Sequence, residues 1–191
     1  MIQFSDLITS RKGSLGEKYG ERFLRANGYE LYCPSDTDKS HPFDRMAVRR
    51  ADRKAFISDF KTKPKRVKYP DTGIDMKHRD EYLALSQHHG IDCLLMFLDE
   101  DCGRAYGNFL SELERHRLVQ HGKDKLLYPR TEWTKHKQTY FEEIRYYPLI
   151  GMRDIGTLAP QECAELRRLS SRSSYYADQA TQEMKQTNMG W

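Results

Sequence analysis

Ala55-Phe56-Ile57-Ser58-Asp59-Phe60-Lys61-Thr62-Lys63 is an apolar run that ends in charge. Its β-branched and aromatic content, over so few residues, predicts a buried strand from Lys54 to Lys61 and not a helix. Side chains alternate across a strand, which puts Ala55, Ile57, Asp59 and Lys61 on one face and Phe56, Ser58 and Phe60 on the other. A carboxylate and an ammonium therefore stand side by side at the end of a buried strand. Burying either charge alone is expensive, so the two must satisfy each other, hold a metal, or meet water. Taken alone, the Asp-x-Lys triplet reads equally well as a structural ion pair.

Just upstream, His41-Pro42-Phe43-Asp44 leads into an alternation with Asp44, Met46 and Val48 on one face and Arg45, Ala47 and Arg49 on the other. Asp44 is the expected first residue of a preceding strand, and the polar stretch Arg49 to Arg53 is the expected turn of a hairpin. Such a hairpin brings Asp44 beside Asp59. Two carboxylates at one point repel unless a cation sits between them. With the backbone carbonyl of Phe60 and water they make an oxygen-only donor set suited to Mg²⁺, with Mn²⁺ as its substitute.

Pro42-Phe43-Asp44, fourteen intervening residues, then Asp59-Phe60-Lys61 resembles the PD-(D/E)xK nuclease superfamily, the fold of many restriction endonucleases and archaeal-type Holliday junction resolvases. The pattern departs from the family name in carrying Phe43 between Pro42 and Asp44. Members commonly have a Glu on the first helix, and Gly16-Glu17-Lys18-Tyr19-Gly20 fits that position; the resemblance covers roughly residues 13 to 100. It implies a restriction-endonuclease-like α/β/α sandwich with a central mixed β-sheet, and hydrolysis of DNA phosphodiester bonds leaving a 5′-phosphate. It also implies a catalytic set of Glu17, Asp44, Asp59 and Lys61. A helix after the Asp-x-Lys strand often sends a further residue to the site in this family, which makes Tyr82 and Gln87 candidates. Endonucleases with one site per chain commonly cut both strands as pairs, so a homodimer is an expected assembly.

The 191 residues suffice for one sizeable core, and 38% apolar with 31% charged residues describes a polar, soluble chain. No run is apolar for long enough to span a bilayer, and Met1 to Ser10 lacks the plan of a signal peptide, so a cytoplasmic location is expected. Cys33, Cys93, Cys102 and Cys163 are scattered without metal-ligand spacing. The net charge of +4 is unevenly spread: nine Lys or Arg fall between Arg49 and Lys68, against Asp52 and Asp59. Because this run abuts the carboxylates, Arg49, Arg50, Lys63, Lys65, Arg66 and Lys68 are expected to contact a nucleic-acid backbone.

Along the chain, Phe4, Leu7 and Ile8 have helical spacing, and Gly13-Ser14 is expected to break that helix and cap a second one ending near Ala26. In that reading Glu17 completes a Ser-x-x-Glu capping box, which competes with a catalytic role. Tyr29 to Cys33 is an expected strand. Asp36 and Asp38 lack the glycine and distal glutamate of a calcium loop. Lys65 to Gly73, with its prolines, is expected to cross the surface before a helix from Met76 to His88. Ile91 to Leu98 is continuously apolar, as a strand covered on both faces should be.

Beyond it, a strand at Ala105 to Phe109, a helix from Leu110, aromatic segments around Lys123 to Trp133 and Tyr140 to Tyr147 forming a hairpin or lid, and a helix from Gln161 to Leu169 are expected. Lys135-His136-Lys137 with Tyr140 and Phe141 could clamp nucleic acid, although ordinary surface loops read the same way. The expected organisation is one domain over residues 1–169, with a core at about 13–100 and an elaboration over 101–169, followed by a polar tail or docking helix at 170–191. Two other classes fit the sequence: a non-catalytic nucleic-acid-binding protein on the same fold, or a small protein-interaction or inhibitor module.

Overall fold

Every side chain from Cys93 to Asp99 is buried, and that strand lies inside the main sheet. The computed structural model describes residues 8–34, 43–66, 69–115 and 143–170. Between the last two blocks it describes only the backbone segments 119–120, 123–124, 127–129, 133–135 and 138–140. In chain order the elements are α1 (Ile8–Ala26), β1 (Glu30–Tyr32), β2 (Arg45–Arg49), β3 (Lys54–Thr62), β4 (Asp71–Asp75), α2 (Met76–His89), β5 (Cys93–Asp99), β6 (Arg104–Phe109) and α3 (Leu110–Arg115). There follow β7 (Val119–Gln120), β8 (Lys123–Asp124), β9 (Leu127–Pro129), β10 (Trp133–Lys135), β11 (Gln138–Tyr140), β12 (Glu143–Pro148), β13 (Arg153–Thr157) and a helix over residues 160–170, here α4.

The main sheet has the order β1-β2-β3-β5-β6-β13. Its β3–β5 pair is parallel, with Asp59 opposite Leu95 and Lys61 opposite Phe97, and the other pairs are antiparallel. The predicted hairpin is present: Arg49 pairs with Lys54 and Arg45 with Ser58. Period-two alternation sorts its residues onto two cores. Phe56 and Phe60 join Tyr19, Phe23, Leu24, Cys163 and Leu166, so α1 and α4 cover one face. Ile57 joins Tyr82, Leu95, Phe97, Leu110 and Leu113, so α2 and α3 cover the other. The result is a three-layer α/β/α arrangement around a mixed sheet. Among the described residues no helix is long and apolar enough to cross a membrane.

Two expectations need correction. The first helix does not break at Gly13-Ser14 but runs unbroken from Ile8 to Ala26, so Ser14 is no N-cap and the capping box does not form. What holds the helix through its glycines is tertiary packing. A Cβ on Gly16 would lie 1.7 Å from Thr62 Oγ1 and one on Gly20 would lie 2.3 Å from the Phe60 ring, so α1 rests its bare backbone on β3. Nor does the segment before α2 simply cross the surface. Asp71 to Ile74 are buried, and β4 forms a second sheet, β4-β12-β9, whose register matches Asp71 with Pro148 and Asp75 with Ile144. Glu114 fastens this sheet to the helices, accepting from Arg79 Nη2 at 2.7 Å and from Tyr147 Oη at 2.8 Å. The expected C-terminal tail beyond residue 170 and the Asp36–Asp38 loop lie outside the described residues, as do the side chains of the Lys135 to Phe141 segment.

Candidate active site

β2 starts where β3 is about to end, so the antiparallel register sets Asp44 against the charged end of β3. Asp44 N–H donates to Ser58 O at 3.0 Å, and its Oδ2 accepts from Phe60 N–H at 2.7 Å. That second bond extends the ladder by one rung with a side chain in place of a backbone carbonyl. The N–H and C=O of a strand residue point to the same side. The Phe60 carbonyl therefore opens toward Asp44, where β2 has already ended.

Asp59 is 3% exposed. Lys61 Nζ donates to its Oδ1 at 3.0 Å and lies 2.9 Å from Oδ2, an ion pair on the α2 face of the sheet. Oδ2, also buried, lies within reach of the same ammonium, and the Tyr82 hydroxyl adjoins the carboxylate. Lys61 also donates to the Tyr82 hydroxyl at 3.4 Å. Burial opposes charge on Lys61, yet Asp59 first, then Asp44 and Asp75, outweigh it and hold the ammonium above its ordinary pKa. Lys61 therefore carries its proton beside the two carboxylates.

Asp44 behaves in the opposite way. Its partial burial and then the neighbouring Asp59 carboxylate, with Glu17 adding to them, push it from 3.8 up to about 7 against the opposing Phe60 N–H and Lys61. Tyr82, 1% exposed and adjoining Asp59, is pushed far above the usual phenol range, by burial first and by Asp59 next.

Glu17 arrives from the other face of the sheet, on α1, where the glycine contacts bring the helix backbone down onto β3. Its partner is Arg45, at 3.4 Å. The same guanidinium donates to Glu21 Oε1 at 2.8 Å through Nε and to the Asp44 carbonyl at 2.5 Å through Nη1. Arg45 thus ties α1 to the strand end that carries Asp44. The sequence reading placed it only as a residue of the strand's other face; the signal that could have found it is the Glu17/Glu21 pair, one helical turn apart and needing a cation.

Of the predicted residues, Asp44, Asp59 and Lys61 come together, Glu17 lies within their electrostatic reach, and Tyr82 closes the α2 side. Gln87 does not join them. It is exposed, and five residues along α2 turn it about 140° from Tyr82. Asp75 and His78 were missed: Asp75 ends β4 and acts on Lys61, and His78 Nδ1 lies 3.9 Å from Asp75 with its ring stacked on Tyr82.

The basic run is divided by the hairpin. Arg49 and Arg50 sit at the far end of β3, about 23 Å from Lys61 over seven residues at roughly 3.3 Å each. There Arg49 is bidentate to Asp52, at 3.0 and 2.7 Å, and Arg50 pairs with Glu30. Lys63, Lys65 and Arg66 follow directly from the site end of β3, and Lys68 lies outside the described residues.

As donors for a hard cation, Asp44, Asp59 and the Phe60 carbonyl supply oxygen only. The set fits a divalent ion in chemistry. Among the described residues no three His, Cys, Asp or Glu side chains converge as a metal-binding group, so carbonyl and water would have to complete it.

No family model matches the chain, and no curated protein matches it. Among solved structures it is similar to a Holliday junction resolvase from Archaeoglobus fulgidus, an archaeal hyperthermophile. The identity is 13% over 54% of this chain and 81% of that one, with a TM-score of 0.43.

Proposed function

We propose that the chain is a metal-dependent nuclease that hydrolyses phosphodiester bonds in DNA, with Asp44, Asp59 and Lys61 at its centre. The observation that supports it is the meeting of two carboxylates and a protonated lysine at one strand end, one carboxylate raised to about 7 and the other buried against the lysine. Such a cluster is costly to keep for stability alone.

Asp44, Asp59 and the Phe60 carbonyl would hold Mg²⁺, or Mn²⁺ in its place. The bound ion would polarise a phosphate oxygen and lower the pKa of an attacking water. Lys61 keeps its proton and offers fixed positive charge to the phosphate as negative charge gathers on it. Asp44 exchanges its proton near neutrality, so its readiness to bind a cation rises through pH 7. Glu17, held by Arg45, adds negative charge beside Asp44 without touching it.

A second reading, a non-catalytic nucleic-acid-binding protein, is favoured by one observation: the described residues contain no cluster of three metal-ligating side chains. Purified protein incubated with supercoiled plasmid and with linear DNA, in Mg²⁺, in Mn²⁺ and in EDTA, decides between them. Cutting that requires the ion and disappears in Asp59→Ala is the expected result. Salt-sensitive DNA binding with no cutting under any condition selects the second reading instead.

A further inference from the structure

Three large apolar side chains are exposed among the described residues, Tyr32, Tyr69 and Ile150, and the last two lie on segments joined by a backbone hydrogen bond. Leu149 N–H donates to Pro70 O at 2.8 Å, which joins the tight turn carrying Ile150 to the bend carrying Tyr69. Ile150 is 93% exposed, yet its turn is rigidly held: Met152 N–H donates to Leu149 O and Asn108 Nδ2 donates to Gly151 O, both at 2.9 Å.

Beside it, Arg66 is fixed by a bidentate pair with buried Asp71, at 2.6 and 2.5 Å, and its guanidinium lies 3.8 Å from the Tyr146 ring and 4.4 Å from the Tyr69 ring. Tyr69 is thus braced from behind and still 49% exposed. A fixed aromatic surface loses little conformational freedom when a flat partner stacks on it.

The surroundings indicate that partner. Exposed Lys65 adjoins Arg66, and the chain leads there directly from Lys61. From the other side β4 spans the gap between Asp71, paired with Arg66, and Asp75, which acts on Lys61. Its four residue steps amount to about 13 Å, close to four nucleotide steps at roughly 3.4 Å each. Paired bases in a duplex hide their faces, whereas an unpaired base offers one.

We propose that Tyr69 and Ile150 form a platform for an unpaired base of a nucleic-acid strand whose backbone runs past Lys65 to the Lys61 end of β3. The inference rests on the nuclease reading for the course of the strand, but binding to the platform does not require catalysis.

The test is fluorescence anisotropy of the full chain in EDTA, titrated against a labelled single-stranded oligonucleotide and against its fully paired duplex. Loss of one base–aromatic stack should weaken single-strand binding by about 5- to 150-fold in Tyr69→Ala. Tyr69→Phe, which keeps the ring, should bind as the native chain does, Ile150→Asp should also weaken binding, and duplex affinity should stay nearly constant throughout. Equal losses on duplex and single strand, failure of Phe to restore binding, or no binding of single strand by the native chain would each overturn the proposal. Asp59→Ala run in parallel separates the two readings. If nothing is ever cut but binding still depends on Tyr69, the nuclease reading falls and the platform stands.

Discussion

Replacing Asp44 by Asn should stabilise the metal-free protein, increasingly as pH rises from about 4 to about 7. The folded-state pKa of Asp44 is about 7 against an ordinary 3.8. A carboxyl raised in this way binds its proton more tightly when folded, so stability falls as pH climbs between those two values, and the cost is complete above about 7. The difference of about 3 units at 1.36 kcal/mol each gives about 4 kcal/mol. Because the strand end is partly open to water, we discount this to about 2 kcal/mol.

Asn can still accept the Phe60 N–H bond while carrying no charge. For a chain of this size the gain is about 4–8 °C in Tm at pH 8, fading to under about 1 °C near pH 4, where folded Asp44 is protonated and the unfolded carboxyl is only partly ionised. Differential scanning calorimetry of both proteins in EDTA across that range measures it. Adding Mg²⁺ at pH 8 should raise the Tm of the native protein and leave Asp44→Asn nearly unmoved. An Asn variant no more stable than the native chain at pH 8, or equally more stable at pH 4 and pH 8, would refute the electrostatic account of this site.

Other substitutions probe the supports. Gly20→Leu, whose first added atom would already meet the Phe60 ring, should cost about 1–3 kcal/mol by overpacking and lower any cutting activity in proportion to the displaced strand end, seen as a lower urea midpoint. Leu95→Ala, at a fully buried position beside Asp59 in the parallel pair, should cost about 2–5 kcal/mol by the same measure. Arg45→Met should leave Glu17 and Glu21 without their shared cation, raise Asp44 further, and shift the pH at which Mg²⁺ begins to raise the Tm to a higher value. Lys61→Met should abolish cutting at every pH, because it removes the ammonium that stands beside Asp59 at the site.

What the sequence made legible was what short-range periodicity determines. The hairpin of β2 and β3, its face assignment, and the covered strand β5 all follow from alternation or from continuous hydrophobicity, and all three are present. So the convergence of Asp44, Asp59 and Lys61 could be anticipated. Long-range partners decided the rest. Asp71-Thr72-Gly73 reads as a turn, and becomes a buried strand only because β12, more than seventy residues later, pairs with it. Gly13-Ser14 reads as a stop, and the helix continues through it because Gly16 and Gly20 let α1 settle on β3, a contact no local propensity encodes. The basic run looked continuous in sequence and is not so in space, because a hairpin sends its two halves to opposite ends of the sheet.

The bare-backbone seam between α1 and β3 also bears on how the molecule opens. With no side chain at Gly16 or Gly20 to act as a spacer, helix and strand have one register in which they fit, and sliding by a turn would drive the bulkier neighbours of those glycines into Thr62 and Phe60. The helix, the hairpin and Asp44 should therefore open as one cooperative unit. In native-state hydrogen exchange, amides of α1 and β3 should share a single opening free energy, while those of β4 and β12 are free to report a lower one.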